Sequence, residues 1–585
     1  MLRVFWRDLV SDLKQITWWQ AGVIVLLLFS MYGMLVTNPT MTHDFNAAKG
    51  DPIQVFLTYF FMHRLASAVS AAALYRFSPI WNASVGFAAL CTAALFMMVL
   101  FRRLGYGKWQ SVVLSMLCWA TPFFYSISIY QYAFHGTAIA LAVDALALLG
   151  FEVWLRRPSI SSLFYFMIFM VVVALSFYQA HAGFLLTAMM GICMLKSIWE
   201  ERNIIGDIIK ISLVLGVSVI VWGVFNYGPM LLAKCIGINI PPSGGAHDAV
   251  YWFSGSFVEN LFSLIAGFAV NWIYTALFVI GLRWVLAAFA FCFVLAAWFA
   301  YRRRGRVVFF ILAFVLSVFS FPILQGSCGT TRIMFGFVSL IAMSGALALR
   351  LCGQKGKRVN VVLLVLSFAI LSMGHETATL YYYNWKTKGQ DGMHMSFIAR
   401  DLWGMFGLKI KKPVAVVGGF KHYPTGWDDL RPFNKLPLLH RPFTTYSNIN
   451  SANVPREFYM LAREKIGLVV KMPELDVYQK LIGDKLLVKS IPAYPRPGYI
   501  QEREDLIVVN LGPGDDQWEH FNYADFASPN EKLLAEYVHL SDFDKMMYSI
   551  TSPFRRLAER YPWALVVDPN QVKQRIKEGD ADDPD

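Results

Sequence analysis

The sequence predicts a polytopic α-helical membrane protein with about eleven transmembrane helices and a C-terminal α/β domain. Three observations support this fold class. Apolar runs long enough to cross a bilayer, which takes roughly 20 residues per helix, recur between residues 18 and 380. Basic residues concentrate in every second turn between these runs. Beyond residue 380, short β-branched runs replace the long apolar ones.

The composition excludes an ordinary soluble protein. Hydrophobic residues make up 56% of the chain and charged residues only 16%, and the mean hydropathy is +0.47. The net charge of +13 does not require a nucleic-acid partner. Much of the excess lies in short turns, where cytoplasmic retention and anionic lipid headgroups account for it. The expected partner is a lipid bilayer, with no nucleic acid.

The basic turns orient the chain, because positively charged short loops stay in the cytoplasm. If Arg3, Arg7 and Lys14 keep residues 1–17 cytoplasmic, an odd number of crossings places the C-terminal domain on the opposite side. Five basic clusters mark the other inner turns: 102–108, 156–157, 196–202, 302–306 and 350–358. The predicted crossings are 18–36, 81–101, 110–129, 136–155, 162–178, 182–197, 206–226, 283–301, 307–322, 332–350 and 359–379.

We expect the first crossing to remain in the mature protein as a membrane anchor. It is full length and lacks a small-residue cleavage pattern, which argues against a signal peptide, and Trp18 and Trp19 suit the membrane interface. The seven cysteines show no metal-ligand spacing. Cys235 and Cys328 are both expected on the outer side, where they form either a disulfide or, the favoured alternative, two thiols.

Two outer loops interrupt the predicted membrane domain of residues 18–380. Loop 37–80 contains an Ala- and Ser-rich run that includes His63 and Arg64, too polar for a crossing; we expect a helix along the outer interface, with its small residues against other helices. Loop 227–282 contains an apolar stretch around Asn271 and Trp272, which fits a re-entrant or interfacial helix.

Residues 381–577 have the pattern of a soluble α/β domain on the periplasmic side. Polar, helix-compatible stretches separate the β-branched runs, and the acidic tail 578–585 is expected to be disordered. A glycine pair at 418–419 follows the first run, but it matches neither nucleotide-binding pattern and favours a plain turn. The predicted strands are 414–417, 466–470, 506–509 and 565–567.

Acidic residues just beyond the first crossing are the leading candidates for catalysis. Asp44 follows His43 in the first outer loop, and Asp51 is seven residues further on. Transfer of a sugar from a lipid phosphate requires a carboxylate that takes the proton of the acceptor hydroxyl and a cation that stabilises the departing phosphate. The alternative for Asp44 is a helix cap or a solvated side chain.

Polar residues at the outer ends of crossings form the second set. Tyr178, Gln179 and His181 lie in one outer hairpin, where they contact substrate or make hydrogen bonds between helices. Arg332 begins the tenth crossing, where its guanidinium holds a phosphate or extends to lipid headgroups. His135 and Asp144 are weaker candidates, and Asp144 can simply pair with a neighbour.

Together these motifs resemble a known family. The acidic outer loop with its interfacial helix, the hairpin Ser176-Phe-Tyr-Gln, the segment Thr330-Thr-Arg-Ile-Met and the outer C-terminal domain are similar to the serotype-converting O-antigen glucosyltransferases of the GT-C superfamily. The resemblance covers roughly residues 18–380. It implies transfer of glucose from undecaprenyl-phosphate-glucose to a lipopolysaccharide O-antigen repeat, at the periplasmic face of the bacterial inner membrane.

The resemblance also implies residue roles. Asp44 would be the base, Arg332 would lie near the donor phosphate, and Tyr178 and Gln179 would line the site; no metal or other cofactor is implied. The sequence departs from the family at 63–65, where His63-Arg64-Leu65 replaces a Gly-Arg-Trp-like segment. Arg64 is therefore an alternative to Arg332 as the phosphate ligand.

Other classes of function remain open. A transporter or flippase of lipid-linked sugars also needs many crossings, but it predicts an internal repeat and charges spread through the midplane, whereas the sequence has no repeat and only Asp144 lies well inside a crossing. A non-catalytic envelope assembly or length-regulating protein would make Asp44 and Arg332 dispensable. A different membrane transferase, such as an acyltransferase, is a further alternative.

Overall fold

The structure is a computed structural model, and it is mostly helical. The described residues are 2–37, 56, 64–74, 79–122, 131–156, 162–200, 203–235, 261, 280–320, 323, 335–353, 356–419, 468, 470–471, 473, 477, 481 and 490–513.

The helices in chain order are α1 (Leu2–Lys14), α2 (Trp18–Thr37), α3 (Leu65–Leu74), α4 (Pro79–Arg103), α5 (Lys108–Trp119), α6 (Gln131–Arg156), α7 (Ser162–Phe177), α8 (His181–Ser197), α9 (Ile204–Cys235), α10 (Ile280–Tyr301), α11 (Gly305–Ser317), α12 (Gly336–Leu351) and α13 (Lys357–Phe406).

The chain is a helical membrane protein, as the sequence predicted. Within the described ranges, six helical segments are long and apolar enough to cross a membrane: 18–37, 81–103, 134–156, 204–228, 283–301 and 357–382. Their outer faces carry large apolar side chains that are more than half exposed, such as Leu26, Ile220, Val294 and Leu364. Lipid is the solvent that makes such exposure favourable.

The count of eleven crossings stays a prediction. A helix lies at each predicted position, but α7, α8, α11 and α12 are apolar helices of only 13 to 17 residues. Helix α5 is shorter still, with 12 residues, and ends at Trp119 rather than at the predicted residue 129. Pro122 gives the reason, because a proline disfavours the helical conformation of the residue before it.

Small residues allow the central helices to approach closely. Helix α4 packs along α6, where a Cβ built on Gly86 would lie 2.7 Å from the ring of Phe134 and 3.0 Å from the His135 backbone. Helix α8 packs on α12 in the same way, since a Cβ on Gly191 would meet Met343 at 2.6 Å. Because glycine has no side chain, the backbones of two helices can approach closely at such contacts.

The N-terminal segment is helical, which the sequence analysis did not predict. Helix α1 buries Phe5 and Leu9, which lie one turn apart on one face, against α4 and α7. Asp12 accepts a 2.7 Å bond from the Nε of Arg103 on α4. Trp18 and Trp19, the predicted interfacial anchor, stack on each other and are exposed.

The two segments predicted as outer loops are described only in part. In the first, α3 packs its small residues Ala68 and Ala71 against α6 and α7, as expected. In the second, α9 continues to Cys235, so the helix extends eight residues beyond the predicted loop start at 227. The side chains of Cys235 and Cys328 lie outside the description. Among the described residues, Cys91, Cys118, Cys193, Cys292 and Cys352 are thiols.

The chain divides into two compact units, residues 1–382 and 383–585. Helix α13 continues to Phe406, well past the predicted crossing end at 379, and Gly407 follows its last residue. The N–H of Gly407 donates to the carbonyl of Trp403 at 2.8 Å, and its φ of +77° is the left-handed conformation that commonly closes a helix.

The second unit contains a mixed three-stranded sheet in the order β1-β3-β2, formed by β1 (Val414–Gly419), β2 (Ile500–Glu502) and β3 (Ile507–Pro513). Strands β1 and β3 are parallel, with Val414 opposite Ile507, and β2 is antiparallel to β3. The predicted strands 414–417 and 506–509 are present, and the glycine pair lies in β1 at an irregularity of register rather than in a turn.

The sheet is buried on both faces. Val414, Val416, Ile507 and Val509 pack on one face with Ile398 and other residues of the end of α13. Ala415, Val417 and Val508 pack on the opposite face with Leu481 and Ile491. The predicted segment 466–470 is described only at Leu468 and Val470, outside strands, and 565–567 lies outside the described residues.

Candidate functional site

A cluster of polar and aromatic side chains lies at one end of helices α3, α7, α8 and α12. We call it the Tyr178 end. The guanidinium carbon of Arg64 lies 4.7 Å from the centre of the Tyr178 ring. The Tyr178 ring meets His181 and Phe335 edge to face, and His181 stacks on Phe335 with 5.0 Å between ring centres. Three segments distant in sequence, around residues 64, 178–181 and 335, therefore meet at Tyr178.

A buried imidazole–carboxylate pair forms the base of this cluster. The Nδ1 of His181 lies 2.5 Å from the Oδ2 of Asp144 on α6, and both side chains are fully buried. The imidazole donates in this bond if the carboxylate is ionised and accepts if the carboxyl group is protonated. Among the described residues, the Nε2 of His181 and the Oδ1 of Asp144 have no hydrogen-bond partner.

Helix α3 is fastened to its neighbours by an amide on α9. The Oδ1 of Asn226 accepts a 3.1 Å bond from the backbone N–H of Leu65, and its Nδ2 donates to the hydroxyl of Ser176 at 3.2 Å. The hydroxyl of Ser67 donates to the carbonyl of Phe177 at 2.9 Å. These bonds fix the start of α3, and Arg64 is the residue immediately before this helix.

The charge of Arg64 has no neutralising carboxylate within the described part of the chain. Its contact there is the Tyr178 ring, and its Nε is buried without a hydrogen-bond partner. A guanidinium over an aromatic ring is attracted by the π face and keeps its planar donors available for a second ligand. This arrangement can bind a phosphate or another anion.

The structure brings together three of the side chains singled out from the sequence, Arg64, Tyr178 and His181. Gln179 lies beside them in the turn between α7 and α8, half-buried, and its carbonyl accepts from the N–H of Ala182 at 3.0 Å. The remaining predicted site residues, His43, Asp44, Asp51 and Arg332, lie outside the described residues.

Sequence reasoning underestimated two members of the cluster and missed a third. Asp144 was only a weak candidate, and its pairing with a neighbour is present, but the sequence did not identify His181 as that neighbour. Asn226 was considered only as the last residue of the predicted crossing 206–226. Both are polar groups within apolar helices, a costly placement that signals an internal partner. Phe335, three residues after Arg332, carried no such signal.

A second polar cluster lies in the unit of residues 383–585. The hydroxyl of Tyr499 donates to Asp401 at 2.7 Å, and Tyr494 contacts both the ring of Tyr499 and the Nδ1 of His394. Burial raises the pKa of Tyr499, and the adjacent Asp401 raises it further, whereas burial lowers the pKa of His394. These contacts attach the end of α13 to the segment around β2, which is a structural role.

No group of three or more His, Cys, Asp or Glu side chains within the described ranges could hold a metal ion.

In comparisons with known proteins, no family model, no curated protein and no solved structure matches the chain.

Proposed function

We propose that the chain is a membrane glycosyltransferase that moves a hexose, glucose by the family resemblance, from an undecaprenyl-phosphate carrier to the O-antigen of lipopolysaccharide. One observation carries the proposal. Arg64, without a carboxylate partner in the described ranges, is held on Tyr178 beside the buried His181–Asp144 pair, at one end of an apolar helical domain. A lipid-linked phosphate needs such a cation at the membrane surface.

The apolar helices and the polar cluster suit the two parts of such a donor. The polyprenyl chain partitions into lipid along the exposed apolar faces of the helices, while the phosphate and sugar remain in the polar layer. Arg64 then supplies parallel N–H donors to the phosphate oxygens. Arg332, three residues before Phe335 in the sequence, is the second candidate for this contact. The proposal puts the cluster on the periplasmic face of the bacterial inner membrane.

The reaction that we propose is a single displacement. The acceptor hydroxyl forms a bond to the anomeric carbon, and the bond from that carbon to the phosphate oxygen breaks. The undecaprenyl phosphate leaves with the electron pair, and the hydroxyl proton passes to Asp44. A cation stabilises the charge that develops on the leaving phosphate. The proposed roles of His43, Asp51, Tyr178, Gln179 and His181 are contacts to the sugars.

The test compares O-antigen from strains that supply undecaprenyl-phosphate-glucose and express matched amounts of each variant. We expect the wild-type chain to add one hexose per repeat, detected by mass and sugar analysis. Loss of a general base lowers rates by about 100- to 10,000-fold, so Asp44→Asn should abolish the added hexose. Arg64→Ala should reduce it about 10-fold or more, because a charge-assisted phosphate contact is removed.

Arg302→Ala is the matched control. Arg302 is exposed, its guanidinium lies 5.8 Å from the ring of Trp298, and it belongs to a basic turn outside the cluster. This variant removes an arginine–aromatic contact and should retain full transfer. A wild-type chain that reaches the membrane of a competent strain and adds no hexose would contradict the proposal and favour a transporter or flippase. Full activity of Arg64→Ala would assign the phosphate to Arg332.

A further inference from the structure

A cavity of about 570 Å³ lies at the opposite end of helices α8 and α12. We call it the Arg350 cavity. It is lined by residues from the α4–α5 turn and from the ends of α6, α8 and α12, and the charged ones are Arg103, Arg156, Lys196, Glu200 and Arg350. Along α8, Lys196 is fifteen residues from His181, or roughly 22 Å at 1.5 Å per residue. The cavity is therefore separate from the Tyr178 end.

Two of the cations share one buried carboxylate. The Oε1 of Glu152, a residue 1% exposed, accepts from the Nζ of Lys196 at 2.9 Å and from the Nη2 of Arg156 at 2.6 Å. Glu152 lies behind these cations and does not line the cavity. Glu152 thus holds Lys196 and Arg156 in place, but its single negative charge neutralises only one of their two positive charges.

Arg350 is positioned by neutral groups. Its Nη1 donates to the carbonyl of Leu104 at 2.7 Å, and its guanidinium lies 5.7 Å from the ring centre of Tyr106. Gly105, with a φ of +92°, makes this approach possible, since a Cβ there would lie 3.1 Å from the same nitrogen. In the described ranges, no carboxylate forms an ion pair with Arg350.

Arg103 adds a fourth cation with unsatisfied donors. Its Nε bonds to Asp12, while its Nη1 and Nη2 are buried without a hydrogen-bond partner among the described residues. Asp12, like Glu152, does not line the cavity, and the carboxylate that does is that of the exposed Glu200. The described wall therefore presents four cations and one carboxylate, between the apolar side chains of Leu104, Leu155 and Leu195.

We propose that the Arg350 cavity is a binding site for a phosphate group. Its cations are fixed before any ligand arrives, its volume is within the range of roughly 300–1,000 Å³ for small-ligand sites, and basic pockets between membrane helices bind lipid headgroups. The positive-inside rule puts this end at the cytoplasmic leaflet. The phosphate belongs either to an anionic lipid headgroup or to a soluble phosphate compound. The inference does not depend on glycosyl transfer at the Tyr178 end.

The test measures ligand-dependent thermal stability of the purified full-length chain in an uncharged detergent at about 0.15 M salt, where exposed charges are screened beyond about 8 Å. The probes are dihexanoyl-phosphatidylglycerol, inorganic pyrophosphate and, as the zwitterionic comparison, dihexanoyl-phosphatidylcholine. Saturable stabilisation by phosphatidylglycerol alone identifies a lipid headgroup site. Saturable stabilisation by pyrophosphate identifies a site for soluble phosphates.

The variants decide whether the cavity is responsible. We expect Arg350→Gln to weaken the apparent Kd of the effective probe about 10-fold or more, while the glutamine retains a donor for the Leu104 carbonyl. Arg156→Gln, at a side chain that is 59% exposed, serves if the first variant unfolds. Arg302→Gln removes the same charge elsewhere and should bind as the wild type does.

Two results would overturn the proposal. The first is the lack of saturable stabilisation by either anionic probe. The second is an equal Kd, within about twofold, for the wild type, the cavity variants and Arg302→Gln, because binding would then depend on general surface charge rather than on the cavity.

Discussion

At the residue scale, the hydrogen bond between His181 and Asp144 joins helix α8 to helix α6. Both side chains are fully buried in apolar helices, where a polar group without a partner costs free energy. The sequence shows that both polar residues lie in apolar runs. It does not show that they pair, because the pairing depends on how α6 and α8 pack and on their rotation about their own axes. A buried bond of this kind should couple the two residues energetically.

We expect a double-mutant cycle of Asp144→Ala and His181→Ala to show this coupling in thermal unfolding. Hydrogen bonds between membrane helices average about 0.6 kcal/mol in such cycles, and the short, buried pair should exceed about 1 kcal/mol. Lys412 and Glu502, an exposed pair at 2.9 Å, provide the control cycle, with about 0.5 kcal/mol expected. A coupling no larger than that of the control would contradict a strong bond.

At the element scale, packing of α4 on α6 depends on Gly86. A Cβ at this position would lie 2.7 Å from the ring of Phe134, closer than real Cβ atoms approach, and 3.0 Å from the Cα of His135, which is tighter than most real contacts. The ring of Phe134 is buried and the His135 contact is backbone, so neither yields easily. The sequence marks Gly86 only as a glycine in an apolar run; the facing atoms come from α6.

Gly86→Ala should therefore lower the free energy of unfolding by about 1–3 kcal/mol, the usual cost of overpacking. Gly216→Ala in α9 is the matched control, because a Cβ there meets nothing within 4 Å and alanine favours a helix by up to about 1 kcal/mol. Thermal unfolding of both variants in the same detergent measures the difference. Equal stabilities would show that α4 and α6 are not in close contact at Gly86.

At the scale of the whole molecule, the number of crossings decides on which side residues 383–585 lie. The six helical segments that are long and apolar enough to cross within the described ranges would, alone, return the chain to the side of its N-terminus. The charge pattern predicts about eleven, which places that unit opposite. The short helices α8 and α12 are buried among other helices, so they need not match the lipid thickness by themselves.

Reporter fusions distinguish these two topologies. Fusion of alkaline phosphatase, which is active only outside the cytoplasm, after residue 585 should give high activity, and fusion of a fluorescent protein that matures only in the cytoplasm should stay dark. The same pair of reporters fused before residue 1 should give the opposite result. Fluorescent fusions with inactive phosphatase at both termini would establish an even number of crossings and contradict the predicted odd number.

The sequence alone determined the helical membrane class, because long apolar runs have few other stable structures in lipid. It also identified Arg64, Tyr178 and His181, since polar groups are conspicuous in such runs. Only the tertiary structure placed Arg64 on Tyr178, paired Asp144 with His181 and gathered residues of four basic turns around the Arg350 cavity. Periodicity reports which residues share a helix, whereas contacts between distant helices depend on packing that no local pattern encodes.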